Sequence, residues 1–499
     1  MISGSTQPKN CAFTVHRNSR FLSKALVSTV LVVMVLSVTS LAQTVTRLKN
    51  QPPDGAQLTF QLTDGSVLAQ GYGDSDWWKL TPDNTGSYVN GTWTQVASLP
   101  AGYSPEAFAS AVLADGRVVI VGGEYNFLNF TLTNLGAIYD PIANTWTSLA
   151  PPKTWKYIGD SPALVLPNGN FVVGNKLTKQ LRQLNPKTLK WTSLPPKGKK
   201  DFDAEEGWTL LADGTFLTAD VKSAPNSEIY STVLKQWKTA GSTIVDLHSP
   251  SPFGCIQYGP NGSLCYYPPG EIGPSILRPD GTVLVTGSYT STGSGAGNTA
   301  VYDSLTSKWT VGPTFPNGDN AGDSFAALLT DGTVLVEGDS GTSYVFDGNT
   351  LTPGPRTPGS LMVLPNGQVL VSGGPTEVYT GKGTYQTSWQ PAISTFPSTV
   401  TRGSTYPISG TQFNGLSQAA AFGDEYQTAT NYPLVRITNN KTSHVFYART
   451  HDHSTMGVAT GSATVSTNFD VPAAAETGAS TLVVVANGIP SNPVSITVQ

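Results

Sequence analysis

The stretch LTDGSVLAQG, Leu62 to Gly71, decides the fold because six altered copies of it follow. They are LADGRVVIVGG (113–123), LPNGNFVVG (166–174), LADGTFLTA (211–219), RPDGTVLVTG (278–287), LTDGTVLVEG (329–338) and LPNGQVLVSGG (364–374). Each sets Asp-Gly or Asn-Gly between runs of apolar and β-branched residues. Those dipeptides accept the positive φ angles of a two-residue hairpin turn, so each copy predicts two antiparallel strands. A second signal follows most copies: Tyr or Trp near a polar loop, then Trp-Thr or Trp-Lys. It is clearest in AIYDPIANTWTSL from Ala137 and AVYDSLTSKWTVG from Ala300, and it marks Trp93, Trp146, Trp191, Trp237, Trp309 and Trp389. Four strands per unit at a period near 50 residues predict propeller blades, since one small sheet cannot bury both faces alone. Seven such blades account for residues 43–390.

Composition agrees. Only 12% of the 499 residues are charged, about half the usual ~25%, while Gly (51) and Pro (36) are abundant. Coiled coils and charged helical bundles are excluded, and so is a highly charged disordered chain. A net charge of −4 gives no footprint for nucleic acid. After Pro391 the hairpin repeat stops. Seven short segments, TYPISGTQF, AAAFGD, LVRITN, SHVFYART, ATVSTNFDVP, STLVVVANG and VSITVQ, predict an immunoglobulin-like β-sandwich over 391–499. The fold class is all-β.

At the other end, Lys9, Arg17, Arg20 and Lys24 precede an apolar run, Ala25 to Leu36, that fades into a small-residue ending at Ala42. This reads as a signal peptide cleaved after Ala42; the alternative is an uncleaved anchor, for which 18 residues are marginal. No other stretch could span a bilayer, and the remainder is expected to be secreted or otherwise extracytoplasmic, as a monomer. Cys11 leaves with the leader. Cys255 and Cys265 then remain as an even pair in an oxidising compartment and are expected to form a disulfide around a Gly/Pro-rich excursion.

With its signal peptide, YD…W and DG…GG repeats and terminal sandwich, the chain resembles the kelch-repeat proteins of the galactose oxidase and glyoxal oxidase group. The resemblance implies a copper site of two tyrosines and two histidines, one tyrosine being cross-linked to a cysteine. Here Ala107 stands at the expected tyrosine place of the second blade, and Thr357-Pro358 at the Tyr-His place of the last. The first blade has no cysteine. One element has a counterpart: YARTHDHSTMG offers His451 and His453 as metal ligands in a sandwich loop comparable to the one that brings the family's histidine to the pore. Copper is therefore disfavoured as a cofactor, and a divalent cation is the alternative.

Counting back from each turn shows another pattern. Glu106, Asp160, Glu205, Glu271 and Asp323 lie 8 or 9 residues before the turns at Asp115, Asn168, Asp213, Asp280 and Asp331, with Asp54 a looser match. Hairpin geometry puts this position at the pore end of each inner strand. Convergent carboxylates there suit a hard cation or sugar hydroxyls, two of them could do acid–base work, and the alternative is a structural role capping neighbouring amides. His451 and His453 are expected at the same mouth. His248 beside Ser249 lacks a nucleophile-elbow setting, and Trp77-Trp78 after Asp74 and Asp76 reads as blade packing or a sugar platform. Asn90, Asn129, Asn261 and Asn440 begin glycosylation sequons.

The expected function is a secreted recognition protein binding a glycan or protein at the pore mouth, with no catalytic residue assigned. The alternative is a divergent oxidase or another metal-dependent enzyme. Thiol titration of the denatured mature protein should find no free cysteine. Two reactive thiols per chain would contradict the Cys255–Cys265 bond.

Overall fold

The computed structural model describes residues 43–72, 75–251, 254–289 and 297–499. The leader and Asp74 lie outside the described residues. The described residues form one compact unit, built almost wholly of short antiparallel strands, with three 3-10 turns among them. Among the described residues no helix is long and apolar enough to cross a membrane.

Every Asp-Gly or Asn-Gly copy closes a hairpin. In the first sheet, Thr59–Gln61 pairs with Val67–Gln70, which pairs with Trp77–Thr81 and then Thr92–Gln95. The same order recurs from Ala109–Val112 to Thr145–Ser148, Ala163–Val165 to Lys190–Leu194, Thr209–Leu210 to Gln236–Ser242, Ser275–Leu277 to Lys308–Val311 and Ala326–Leu328 to Leu351–Arg356. In a seventh sheet, Ser360–Val363, Val369–Ser372 and Glu377–Thr380 take their fourth strand from the other end of the repeat region, Thr44–Arg47. This corrects the expectation for Trp389. It lies in the turn Thr387–Trp389, and its ring covers the hairpin glycine Gly332.

The inner strands are buried on both faces, and their apolar side chains stack between neighbouring sheets. The repeated tryptophans join those sheets. Trp93, Trp191 and Trp309 each donate the indole N–H backward along the chain, to the carbonyls of Asn50, Ala150 and Ala240. Trp77 is fully buried against Phe60 and Trp146, which settles it as packing between the first two sheets.

From Ala392 to Val498 a second module has its own core around Val435, Phe469 and Val484. Its strands follow one hydrogen-bonded path in which Val445–His451 contacts both Leu434–Asn439 and Thr464–Asp470. The module lies across the hairpin-turn end of the repeats. Thr450 N–H bonds Thr63 O, Arg449 bonds Asp115 O at 2.7 Å, and Met456 N–H bonds Pro167 O.

One segment does not stay in that module. AAAFGD was expected as one of its strands. Instead Ala420–Ala421 adds to the edge of Ala326–Leu328, and the chain from Gln418 to Thr428 touches the inner strands of several sheets. Gln418 Oε1 accepts from Leu210 N–H, Gln427 N–H reaches Ser110 Oγ, and Thr428 Oγ1 donates to Leu361 O. Contacts with sheets two, four, six and seven at once place this segment on the axis they share.

Phe216 is fully buried in the fourth sheet, with Trp208, Tyr230 and Trp237 ring centroids 4.8 to 5.3 Å away. Phe216→Ala should cost roughly 3–5 kcal/mol in chemical unfolding. A loss under about 1 kcal/mol would contradict this packing.

Candidate functional site

The inner strand of each sheet is preceded, within a few positions, by one residue in the left-handed region. These are Gly55, Ala107, Gly159, Glu205, Gly270, Asp323 and Gly359, with φ from 48° to 113°. Left-handed φ costs a residue with a Cβ about 1 kcal/mol or more, so Ala107, Glu205 and Asp323 hold strained backbone at equivalent places. The sharp bend turns the chain into the axis and aims the side chains beside it inward.

Four of the five expected acids meet there. Asp160, Glu205, Glu271 and Asp323 line a cavity of roughly 190 Å³, together with Ala107, Glu124 and the axial residues Phe422, Asp424, Glu425 and Tyr426. Glu106 does not line it. Its strand pairs with Tyr125, and Glu124 of the same sheet takes the expected place. Asp54 packs against Gly71 instead.

The organising cation is Lys176, wholly buried. Its ammonium bonds the Asp160 carboxylate and lies 2.6 Å from Glu205 Oε1, with the Tyr266 ring 5.2 Å away. Tyr266 also donates its hydroxyl to Glu205 at 2.9 Å. Burial alone would lower the Lys176 pKa, but Asp160 and Glu205 hold it well above the usual lysine range.

One ammonium faces seven acids, so most are pushed upward. Burial raises Glu205 to about 8 against the pull of Lys176. Burial, with Glu205 and Asp323 beside it, raises Glu271 to about 11. Burial and Asp424 raise Asp323 to about 7, while a hydrogen bond with Glu271 acts the other way. Asp160, Glu425 and Glu124 are also raised by burial. At neutral pH the pocket therefore mixes protonated carboxyls, which donate, with carboxylates, which only accept.

Its walls are held by neighbours. Ser249 Oγ accepts from Glu271 N–H, and Ser249 N–H donates to Glu271 O, so this serine positions Glu271. His248 faces Asp246 and forms no triad with Ser249. The Tyr426 hydroxyl accepts from Ala107 N–H at 2.7 Å. Edge-to-face rings run from Tyr125, next in the chain to Glu124, through Phe130 and Tyr258 to Tyr157, with centroids 5.0 to 6.4 Å apart. Tyr258 belongs to the excursion, whose strands Ile256–Tyr258 and Leu264–Tyr266 are joined by the Cys255–Cys265 disulfide.

His451 and His453 are elsewhere, and the expectation that they reach this mouth is corrected. His453 N–H bonds Ala114 O beside the second hairpin turn, the opposite end of that sheet from Ala107. Its buried ring contacts Thr467, and His451 lies between Asp452 and Asp470. Their loop is tied to the hairpin turns through Arg449 and Thr450, so the strand that carries them cannot bend into the axis. The loop that does enter is Phe422–Thr428, which contains no histidine. Thr357 is buried against Ser343. The donor set around the cavity is carboxylate, without the imidazole, thiolate and paired tyrosines that copper-radical chemistry needs, so copper does not fit it.

No protein-family model matches the chain. The "Kelch-like protein terF" of Aspergillus terreus is 26% identical over 202 residues, 37% of this chain and 42% of that protein. The repeat sheets share the antiparallel four-strand order of a β-propeller. The chain spans less than half the length of this kelch-like relative. Among solved structures, a fungal alcohol oxidase of the AA5 family in complex with copper aligns with 14% identity and a TM-score of 0.49, covering 91% of this chain and 98% of that one. Virginiamycin B lyase from Staphylococcus aureus aligns with 11% identity and a TM-score of 0.43, covering 68% of this chain and 99% of that one.

The proton balance has a measurable sign. Folded Asp323 and Glu205 keep their protons up to about 7 and 8, whereas the unfolded chain loses them near pH ~4. The folded state binds more protons between those limits, so stability should fall as pH rises from about 4 to about 8. Thermal melts across that range should show the decline, and Asp323→Asn should flatten it. An unchanged slope in the variant would contradict the assignment.

Proposed function

We propose that this chain is a secreted recognition protein, a seven-bladed propeller (43–390) followed by an immunoglobulin-like module (391–499), that binds a hydroxyl-rich small ligand, a carbohydrate, in its axial pocket. The observation that carries the reading is the convergence of Asp160, Glu205, Glu271, Asp323, Asp424 and Glu425 on one cavity, with Lys176 as their cation. Sugar hydroxyls both donate and accept, and Glu271 with Asp323 offers the matching pair. At roughly 190 Å³ the cavity is smaller than the clefts that take drug-sized molecules and suits one small polar group or sugar ring.

An acid–base enzyme is the second reading, favoured by the separation of Glu271 and Asp323 in proton affinity. Glycan-array screening followed by calorimetry should find a saccharide that binds the wild type, with Asp323→Asn and Glu271→Gln each weakening it by about tenfold, or ~1.4 kcal/mol. Release of a shortened glycan would move the assignment to the enzyme, and silence across the arrays would remove the carbohydrate reading.

A further inference from the structure

A second group of carboxylates lies between the third and fourth sheets, and the axial pocket does not use it. Glu205 faces the axis, while the next residue, Glu206, faces the other way into a fully buried group with Asp201, Asp203, Asp220 and Glu228. One ammonium serves all five: Lys199 Nζ lies 2.7 Å from Glu206, 2.9 Å from Asp201 and 3.1 Å from Glu228, with the Trp237 ring 5.1 Å away. Four negative charges stay uncompensated if all are ionised, and buried charge without a partner is strongly destabilising.

Asp220 supplies the independent sign of a ligand. It is only 3% exposed, and neither carboxylate oxygen has a hydrogen-bond partner. One oxygen each of Asp201, Asp220 and Glu228 lie within 4.8 Å of one another. Calcium takes carboxylate oxygens at about 2.3–2.6 Å, so two ligands on opposite sides of one ion stand about that far apart. Asp201 Oδ2 already accepts Ser223 N–H, and Glu228 Oε1 accepts Lys200 N–H, both at 3.0 Å. These bonds orient the carboxylates, and each oxygen keeps a second lone pair for a cation.

We infer that Asp201, Asp220 and Glu228 form a divalent-cation site of calcium type, which joins the loop from the third sheet to two strands of the fourth. The donors are all hard oxygens, which suits calcium better than softer metals. Lys199 keeps Glu206 and one oxygen each of Asp201 and Glu228, and the cation takes their other oxygens together with Asp220. Because Glu205 and Glu206 are neighbours, the ion steadies the bend that presents Glu205 to the axis.

Calorimetry on the full mature chain, stripped with EDTA and titrated with CaCl₂, tests this. The wild type should bind one calcium per chain and melt at higher temperature with it. Asp220→Asn should bind at least about tenfold more weakly and lose the calcium-dependent rise. Glu228→Gln is the second variant if Asp220→Asn fails to fold, with the same expectation. Asp323→Asn, in the axial pocket, should bind calcium as the wild type does. The inference is overturned if the wild type shows neither binding nor a melting shift, if Asp220→Asn or Glu228→Gln binds normally, or if only Asp323→Asn loses the ion. Since Asp323→Asn is the variant that disables saccharide binding, failure of the cation site and failure of the axial reading are distinguishable.

Discussion

The burial of the Lys176 ammonium among the axial carboxylates is the interaction on which the site depends. An isolated buried ammonium would be prohibitive, and so would the acids without it. Held between Asp160 and Glu205, it allows acids from several sheets to converge with the axial acids on one cavity. Its single charge leaves the rest short of compensation, and they respond by holding protons. The pocket's chemistry, donors beside acceptors, follows from that imbalance.

The architecture delivers these groups by repetition. Each sheet is preceded by a left-handed residue within a few positions of its first strand, so a chain bend that serves packing also serves the pocket. Where glycine fills the bend the cost is small; where Glu205 or Asp323 fills it, backbone strain accompanies a buried acid. The same bend at Glu205 and Glu206 divides consecutive carboxylates between two buried groups, each with one lysine. Stability and site chemistry are therefore linked at the fourth sheet.

Much of the fold was legible because hairpin turns write their geometry locally. Asp-Gly and Asn-Gly marked all seven hairpins, and counting back from them found Asp160, Glu205, Glu271 and Asp323 at the cavity. What was missed depends on contacts between distant segments. AAAFGDEYQT reads as a plain strand and turn, and nothing local says that it leaves its module for the axis, carrying Asp424, Glu425 and Tyr426. A Gly-Asp-Glu-Tyr run in so acid-poor a chain was the available signal. Lys176 follows the same strand end that closes with Gly-Gly in the second and seventh copies, and a charge at that place was the other clue. HDH attracted notice by its chemistry, yet its strand is anchored to the hairpin turns by Arg449 and Thr450, the wrong end for the mouth.

Infrared spectroscopy of the carboxyl groups tests the central claim most directly. In the folded protein at neutral pH, the C=O stretch of protonated carboxylic acids should be present, and it should diminish in Glu271→Gln, whose carboxyl is pushed up to about 11. A spectrum at pH 7 showing only ionised carboxylates would contradict a pocket built on retained protons.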